Sequence, residues 1–265
     1  MISRILACLL VLVAFAGCST VPETGRRQVM LVSPSEEAQM GLSAFDQIKK
    51  EEKVSQDPAA NAQVQRVGKR IAQSVGRDIP NARWEFVVFD SPQVNAFALP
   101  GGKVGVYTGL LKLASSDDEL AAVMGHEIAH VSSRHGAERT SQNYLISGGA
   151  ALAQIGMEVK NVDPAKRTAI MSAYGIAANL GALLPYSRLH ETEADRIGLR
   201  FAAGAGYDPR AAVTFWKKMA ANSGSQGKPP VWLSTHPSDE QRIRNLAELA
   251  PQYMALYEQA RQKYQ

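Results

Sequence analysis

The residues whose types and spacing suggest chemistry most directly are His126-Glu127-Ile128-Ala129-His130, an HExxH pattern. Histidines four residues apart lie one above the other on one face of a helix, with the glutamate beside them. This arrangement supplies two neutral nitrogen ligands for zinc and a carboxylate that can act as a base. We therefore predict that His126 and His130 bind one Zn²⁺ per chain and that Glu127 is the catalytic glutamate.

The segment before this pattern predicts a buried helix. Ser116 followed by Glu119 has the form of a capping box at a helix start, with acidic residues in the first turn. The apolar residues that follow are Leu120, Ala121, Val123, Met124, Ile128, Ala129 and Val131. A helix that is apolar over most of its surface is buried, and buried histidines need polar partners, which a metal would provide.

A catalytic zinc needs a third protein ligand, and its position separates the classes of zinc peptidase. The metzincin continuation HExxHxxGxxH requires glycine at 133 and histidine at 136, but the chain has Ser133 and Gly136. His135 lies about 180° around the helix from His126, so we expect it to face away from the metal.

The better candidates lie downstream, in Glu191-Thr192-Glu193-Ala194-Asp195. Glu191 and Asp195 are one helical turn apart, so one can bind the metal while the other supports a ligand histidine. We favour Glu191 as the third ligand, with His190 as the alternative. Glu193 points roughly 200° away from Glu191, and we expect it to be solvated.

Three motifs occur together: NAFALPGG at 95–102, HEIAH at 126–130 and ETEAD at 191–195. They resemble the gluzincin metallopeptidases related to HtpX, the CAAX prenyl endopeptidases and the mitochondrial Oma-type proteases, which form peptidase family M48. The resemblance extends over roughly residues 24–246 and is strongest to short bacterial lipoprotein members of the LoiP and BepA kind. It implies that His126, His130 and Glu191 are zinc ligands, that Glu127 is catalytic and that Asp195 supports a ligand.

The same resemblance gives a role to His236, which precedes Pro237 in a proline-rich segment. A His-Pro loop of the family reaches the metal cleft. His236 would therefore either occupy the open position on zinc or stabilise the oxyanion; the alternative is an ordinary loop histidine. Members of the BepA kind also carry a tetratricopeptide array. The residues after Pro237 are fewer than one repeat of about 34 residues, so we expect no array here and any adaptor to be another protein.

The amino terminus predicts the compartment. Residues 1–17 contain one early charge, Arg4, and an apolar run too short to span a bilayer, which indicates a signal peptide. Phe15-Ala16-Gly17-Cys18 resembles a lipobox, so we predict lipidation at Cys18 and a tether over residues 18–32. Ser19, by resemblance to Gram-negative lipoproteins, implies the outer membrane with the enzyme facing the periplasm. The alternative is cleavage at an A-x-A site and a soluble periplasmic protein.

The remaining pattern predicts one α+β, helix-dominated, zincin-like metallopeptidase domain over residues 33–265. Helices are expected at 34–51 and 57–75, and strands at 84–89, 94–99 and 103–107. Pro100-Gly101-Gly102 indicates a type II turn, which makes a hairpin in a small β-sheet, and the resemblance to zincins implies that this sheet lies beside the HExxH helix. Asn95, Ala96 and Phe97 are the predicted edge strand that binds substrate backbone; the alternative is an ordinary core strand.

Two segments bear on partners. Residues 168–185 are largely apolar but marginal for a membrane span, and we expect them to pair with residues 144–159 as a helical hairpin. The net charge is +4 without any Lys/Arg block, so the composition does not indicate nucleic-acid binding.

The sequence thus favours a zinc-dependent endopeptidase that cleaves unfolded or misassembled envelope proteins. Its partners would be these substrates, the membrane through a lipid anchor, and outer-membrane assembly machinery. The alternatives are a non-catalytic chaperone or assembly factor for outer-membrane proteins that uses the same groove, and a zinc-stabilised structural lipoprotein. Glu127 favours the enzyme, because a purely structural site would have a fourth ligand and no base.

Overall fold

Helices dominate the chain. The computed structural model describes residues 18–179, 183–223, 232, 236 and 240–264. The helices are α1 (Pro34–Glu51), α2 (Pro58–Val75), α3 (Thr108–Leu113), α4 (Asp117–Ser132), α5 (His135–Val159), α6 (Pro164–Ala178), α7 (Leu184–Gly204), α8 (Ala211–Ser223), α9 (Glu240–Leu249) and α10 (Met254–Arg261). Short 3-10 turns lie at Gly76–Asp78 and Ala250–Tyr253. The strands are β1 (Cys18–Thr20), β2 (Arg27–Val29), β3 (Glu85–Phe89), β4 (Ala96–Leu99) and β5 (Lys103–Tyr107). This architecture confirms the helix-dominated α+β class.

The chain divides into two compact units. The HExxH unit comprises Pro34–Ser133 and Glu191–Gln265, and the hairpin unit comprises Met1–Ser33 and Arg134–His190. The boundary falls inside α7, between His190 and Glu191. The part of the chain that we expected to be a single domain, residues 33–265, therefore contributes to both units.

A three-stranded sheet in the order β3-β5-β4 lies in the HExxH unit. The predicted hairpin is present, with β4 antiparallel to β5, and its turn places Gly101 and Gly102 at φ 86° and 84°. Central β5 also pairs in parallel with β3. Strand β4 packs against α4, so the sheet lies beside the HExxH helix as predicted. Phe45, Phe89 and Tyr107 form a buried aromatic cluster on this sheet.

Helix α4 begins as the capping box predicts. The hydroxyl of Ser116 accepts the Glu119 N–H at 3.2 Å, while the Glu119 carboxylate accepts the N–H of Ser115 at 2.9 Å. The helix is buried from Glu119 through His130 apart from Ala122, which is half-buried. The helix that carries the two histidines is thus held as a core element, which fixes their direction.

A close approach of two glycines joins α4 to α7. A Cβ on Gly198 would lie 2.8 Å from the backbone nitrogen of His126, and a Cβ on Gly125 would lie 2.8 Å from the carbonyl oxygen of Gly198. Only glycine fits at such a crossing. This contact sets the distance between α4, which carries the HExxH motif, and α7, which carries Glu191.

The hairpin unit is organised around α5. Antiparallel β1 and β2 pair Cys18 with Val29, so residues 18–29, within our expected tether, form a folded hairpin. Helices α5 and α6 form the predicted helical hairpin, in which the Tyr174 hydroxyl donates to the Ile146 carbonyl at 3.0 Å. No helix in the described part of the chain has the length and apolar character that a bilayer span requires.

Candidate metal centre

Four side chains of the HExxH unit converge on one point. His126 Nε2 lies 3.1 Å from His130 Nε2 and 3.3 Å from His236 Nδ1. The Glu191 carboxylate lies 3.3 Å from the Nε2 atoms of both His126 and His130, and 3.0 Å from His236 Nδ1. All four residues are buried. Helix α4 supplies two of these side chains, α7 supplies Glu191, and His236 arrives from a later part of the chain.

These distances fit a zinc ion. Four ligands at about 2.0–2.1 Å from a tetrahedral zinc lie about 3.3 Å from one another, and imidazole nitrogens with one carboxylate oxygen form a common donor set. Burial and Arg242 oppose protonation of His126, but Asp195 and Glu191 outweigh them and raise the pKa of His126 to about 9. Negative charge that attracts a proton this strongly would also attract a divalent cation.

Asp195 orients His126. Its Oδ1 lies 3.0 Å from His126 Nδ1, so the neutral ring that binds a metal would keep its proton on Nδ1 and direct the Nε2 lone pair at the cluster. Burial would raise the pKa of Asp195, but the Arg242 guanidinium lowers it, with a further contribution from His126. The residue that we expected to support a ligand therefore has the geometry for that task.

Glu127 lies beside the ligand cluster and is held by a tryptophan. The indole Nε1 of Trp232 donates to Glu127 Oε1 at 2.6 Å, and His236 Nε2 lies 3.5 Å from the same oxygen. Trp232 in turn stacks on Trp216, with ring centroids 4.8 Å apart. Residues 233–235 and 237, which include the rest of the Ser-Thr-His-Pro segment, lie outside the described residues.

Other predicted candidates lie elsewhere. The Nε2 of His190 lies 2.9 Å from Glu138 Oε2, and its ring stacks on His135 at 4.2 Å between centroids. Neither histidine belongs to a metal-binding group among the residues that the structure describes. Our expectation that Glu193 is solvated is wrong, because it is 5% exposed. Helix α7 is buried on most of its sides here, so a side chain that points away from Glu191 is still buried.

The predicted substrate strand lies at one edge of the sheet. Ala96 and Phe97 belong to β4, which has β5 on one side, and the Asn95 carbonyl just before it accepts the Tyr107 N–H at 3.1 Å. The Phe97 ring packs near Phe45 and Phe89 in the aromatic core. The strand thus combines a core side chain with an edge backbone, and its role toward substrate stays a prediction. Cys18 begins β1, while residues 1–17 lie outside the described residues.

Sequence reasoning missed Arg242. Its Nη1 lies 2.8 Å from Glu191 Oε2, its Nε and Nη2 each lie 2.7 Å from an oxygen of Asp195, and its guanidinium lies 3.6 Å from the Trp216 ring centroid. Burial works against the charge, but Asp195 and Glu191 raise the pKa of Arg242. Its helix, α9, has a polar sequence, and its placement depends on contacts across 47 residues of sequence. A charged residue inside an amphipathic helix was the only available signal.

Comparison with known proteins identifies the family of the chain. The sequence matches the family described as Peptidase family M48 over residues 58–250. It is 36% identical over 241 residues to the mitochondrial metalloendopeptidase OMA1 of Schizosaccharomyces pombe, covering 90% of this chain and 68% of that protein. It is 32% identical over 263 residues to the human mitochondrial metalloendopeptidase OMA1, covering 94% of this chain and 49% of that protein.

A bacterial relative is similar to the same degree. The putative beta-barrel assembly-enhancing protease of Vibrio cholerae is 32% identical over 237 residues, covering 89% of this chain and 48% of that protein. The chain thus spans about two thirds of the fission-yeast relative and about half of the human and Vibrio ones. These matches show that the chain belongs to peptidase family M48 and carries the domain of a zinc metalloendopeptidase.

Proposed function

We propose that this protein is a zinc-dependent endopeptidase of the bacterial envelope that cleaves unfolded or misassembled outer-membrane and periplasmic proteins. The observation that carries the chemistry is the convergence of His126, His130 and Glu191 at mutual distances of 3.1–3.3 Å, with Glu127 next to His126 in the chain. The bacterial setting is supported by the N-terminal sequence and by the beta-barrel assembly-enhancing protease among its relatives.

In this proposal His126, His130 and Glu191 would hold the zinc, and two further residues, Asp195 and Arg242, orient these ligands. Asp195 keeps the His126 ring in the tautomer that presents Nε2, and Arg242 fixes both oxygens of Asp195. When bound, zinc polarises the scissile carbonyl and lowers the pKa of a water toward about 7.

Glu127 moves the proton. Because the Trp232 indole donates to Oε1, we assign proton transfer to Oε2, which takes a proton from the attacking water and returns it to the amine of the leaving peptide. Burial of the carboxylate behind Trp232 restricts its rotation, so its reactive oxygen is already in place before substrate binds.

His236 restrains the enzyme. Its Nδ1 lies 3.3 Å from His126 Nε2 and 3.0 Å from the Glu191 carboxylate, which suits two ligand atoms on one zinc ion, so it would take the fourth ligand position that the reacting water needs. Of the two roles considered for His236 we therefore favour the zinc ligand: His236 would complete the set of zinc ligands at rest and would have to move before cleavage. An endopeptidase that faces unfolded envelope proteins would be hazardous without such restraint.

Substrate class follows from the edge strand. Tyr107 and Asn95 form a hydrogen-bonded pair, so by the antiparallel alternation the backbone N–H groups of Ala96 and Ala98 point away from β5. Those groups can bind an extended substrate backbone by strand addition, which recognises unfolded chains without reading their sequence. We therefore assign Asn95, Ala96 and Phe97 to the substrate strand.

This assignment is tested by removing one outward N–H. Ala98→Pro should raise KM for an unfolded porin without changing zinc content, because proline removes a donor that β5 does not use. Ala98→Val is the matched control, since it keeps the N–H. Equal KM values for the two variants would remove the strand-addition proposal while leaving the metal chemistry intact.

Membrane attachment is the last part of the proposal. We propose that lipidation at Cys18 anchors the chain to the periplasmic face of the outer membrane. Cys18→Ala should then move the protein from the membrane fraction to the soluble periplasmic fraction, and metabolic labelling with a palmitate analogue should be lost. Membrane retention of the variant in high salt would contradict a lipid anchor as the sole attachment.

A further inference from the structure

Helix α5 presents an uncovered row of large apolar side chains. Twelve large hydrophobic residues are exposed in the described part of the chain, and five of them lie on this helix: Tyr144, Leu145, Leu152, Ile155 and Val159. Leu152 and Val159 are 72% and 76% exposed. Contiguous exposed apolar surface of this kind marks an interaction site.

Four of these residues, together with Gly148, have the spacing of a helix–helix seam. Residues 145, 148, 152, 155 and 159 follow one another at intervals of three and four, and at 100° per residue they fall within an arc of about 80°. We call these five residues the α5 seam. The residues on the opposite side of α5, Ile146, Ala150, Ala153 and Met157, are half-buried within the hairpin unit. The seam therefore faces away from the unit's own interior.

The charge pattern argues for a helix as the partner rather than a bilayer surface. No charged residue occurs between Arg139 and Glu158. Helices that lie on membranes carry lysine and arginine on the polar face, which α5 lacks over this length. A narrow stripe with alternating three- and four-residue spacing is instead the pattern by which two helices interlock.

The seam is complementary to itself. When two copies of α5 run antiparallel with Gly148 of each facing Leu152 of the other, Leu145 of each faces Ile155 of the other. Near the centre of the pairing, the space beside Gly148 of one copy thus receives the exposed side chain of Leu152 from the other. A Cβ on Gly148 would meet nothing within 4 Å in its own chain, so this space is open for a partner's side chain. A two-fold axis between the helices repeats every contact and closes the assembly at two copies.

We propose that α5 pairs with α5 of a second copy of this chain, antiparallel, to form a homodimer. The partner is the same surface of an identical molecule. This arrangement covers the exposed seam from Leu145 to Ile155 without using any residue of the metal centre, so the dimer and the peptidase activity can be tested separately.

The test is sedimentation velocity on the full chain expressed with Cys18→Ala, which removes the proposed acylation site and leaves α5 unchanged. The parent protein should sediment as a dimer at micromolar concentration. Leu152→Glu should raise the dimer dissociation constant by about 100-fold or more, because the substitution occurs twice across the axis. Leu42→Glu, at an exposed leucine of α1 in the other unit, is the matched control and should remain dimeric.

Gly148→Leu is the sharper variant. It improves helix propensity and meets open space in its own chain, so the monomer should fold, but its side chain would clash with Leu152 of the second copy. It should therefore sediment as a monomer with unchanged circular dichroism. Gly148→Leu combined with Leu152→Ala exchanges the large and small residues and should restore the dimer.

Three results would overturn the proposal. The first is a parent protein that stays monomeric at about 100 µM, and the second is a Gly148→Leu variant that stays dimeric. The third is flotation with vesicles of phosphatidylethanolamine and phosphatidylglycerol that is lost in Leu152→Glu and strengthened in Gly148→Leu. That third pattern would make a bilayer, which gains from added apolar area, the occupant of the seam.

Discussion

Arg242 donates hydrogen bonds to both carboxylate oxygens of Asp195, from Nε and Nη2, each at 2.7 Å. Asp195 in turn contacts Nδ1 of the ligand histidine His126. The guanidinium also contacts Glu191 and lies over Trp216, so one buried cation partly offsets the negative charge of two carboxylates at the metal centre. The electrostatic balance of the centre therefore depends on a residue from α9 that binds no metal itself.

Removal of this cation should destabilise the fold. Arg242→Gln leaves Asp195 buried without its paired charge, and loss of one partner of a buried ion pair costs about 3–5 kcal/mol. Urea denaturation in the presence of zinc measures the effect, with Arg244→Gln as the control at an exposed arginine of the same helix. Arg242→Lys should not rescue stability, because lysine lacks the two-pronged geometry. A free energy of unfolding within about 1 kcal/mol of the parent for Arg242→Gln would contradict this role.

Glu191 should be required for metal. Glu191→Ala should weaken zinc binding by more than the 10- to 100-fold that is typical for loss of a residue behind a ligand. Competition with a chromophoric chelator measures the affinity. Glu193→Gln, two residues away and outside the ligand cluster, should keep zinc binding near that of the parent. Full zinc affinity in Glu191→Ala would contradict the assignment of Glu191 as a ligand.

His236→Ala should activate the enzyme. If His236 fills the fourth metal position in at least about nine tenths of resting molecules, its removal should raise the rate of casein cleavage by about tenfold or more. Initial rates at matched zinc occupancy measure this. A fall of about 10²–10³ in kcat with unchanged zinc content would assign His236 to oxyanion stabilisation instead. Equal rates and equal zinc affinity would make it an ordinary loop histidine.

Glu138 should make stability depend on acid pH. Burial would raise the pKa of its carboxyl, but hydrogen bonds from His190, Arg26 and Gln28 lower it from 4.5 to about 2. The stabilisation is therefore complete above about pH 4.5 and is lost as the pH falls toward about 2. Between pH 6 and pH 3 the loss should be about 2 kcal/mol in the free energy of unfolding. Glu138→Gln should reduce this dependence, whereas Glu158→Gln, at an exposed acid of the same helix, should leave it unchanged; equal pH slopes would refute the role.

Local patterns predicted much of the fold. The capping box at Ser116 and the glycine turn at Gly101 were correctly placed, because each is set by residues within a few positions of itself. The α+β class followed from the same signals, whereas the position of the sheet beside α4 was expected from the resemblance to zincins. The parallel pairing of β3 with β5 was not predicted, since nothing in either strand specifies its neighbour.

Site residues that depend on distant contacts were not visible. Trp232 and Arg242 lie more than 100 residues from Glu127 and His126, and only the folded chain brings them to those partners. The expected exposure of Glu193 was wrong because a helical wheel gives the direction of a side chain but does not show which residues pack against that side of the helix. The close crossing at Gly198 was also missed, because a glycine inside a helix does not reveal which backbone approaches it.

The central claim is that Glu127 performs metal-dependent proteolysis at this site. Purified protein should cleave casein, lose that activity with a chelator and regain it when zinc is added back. Glu127→Gln keeps the size of the side chain and its acceptor for Trp232 but cannot take the proton, so cleavage should fall by about 10²–10⁴.

One experiment measures both properties on the same sample: zinc content by mass spectrometry and casein cleavage, for the parent and for Glu127→Gln. The account predicts about one zinc per chain in both proteins and cleavage by the parent alone. Zinc-loaded Glu127→Gln with the cleavage rate of the parent would contradict it.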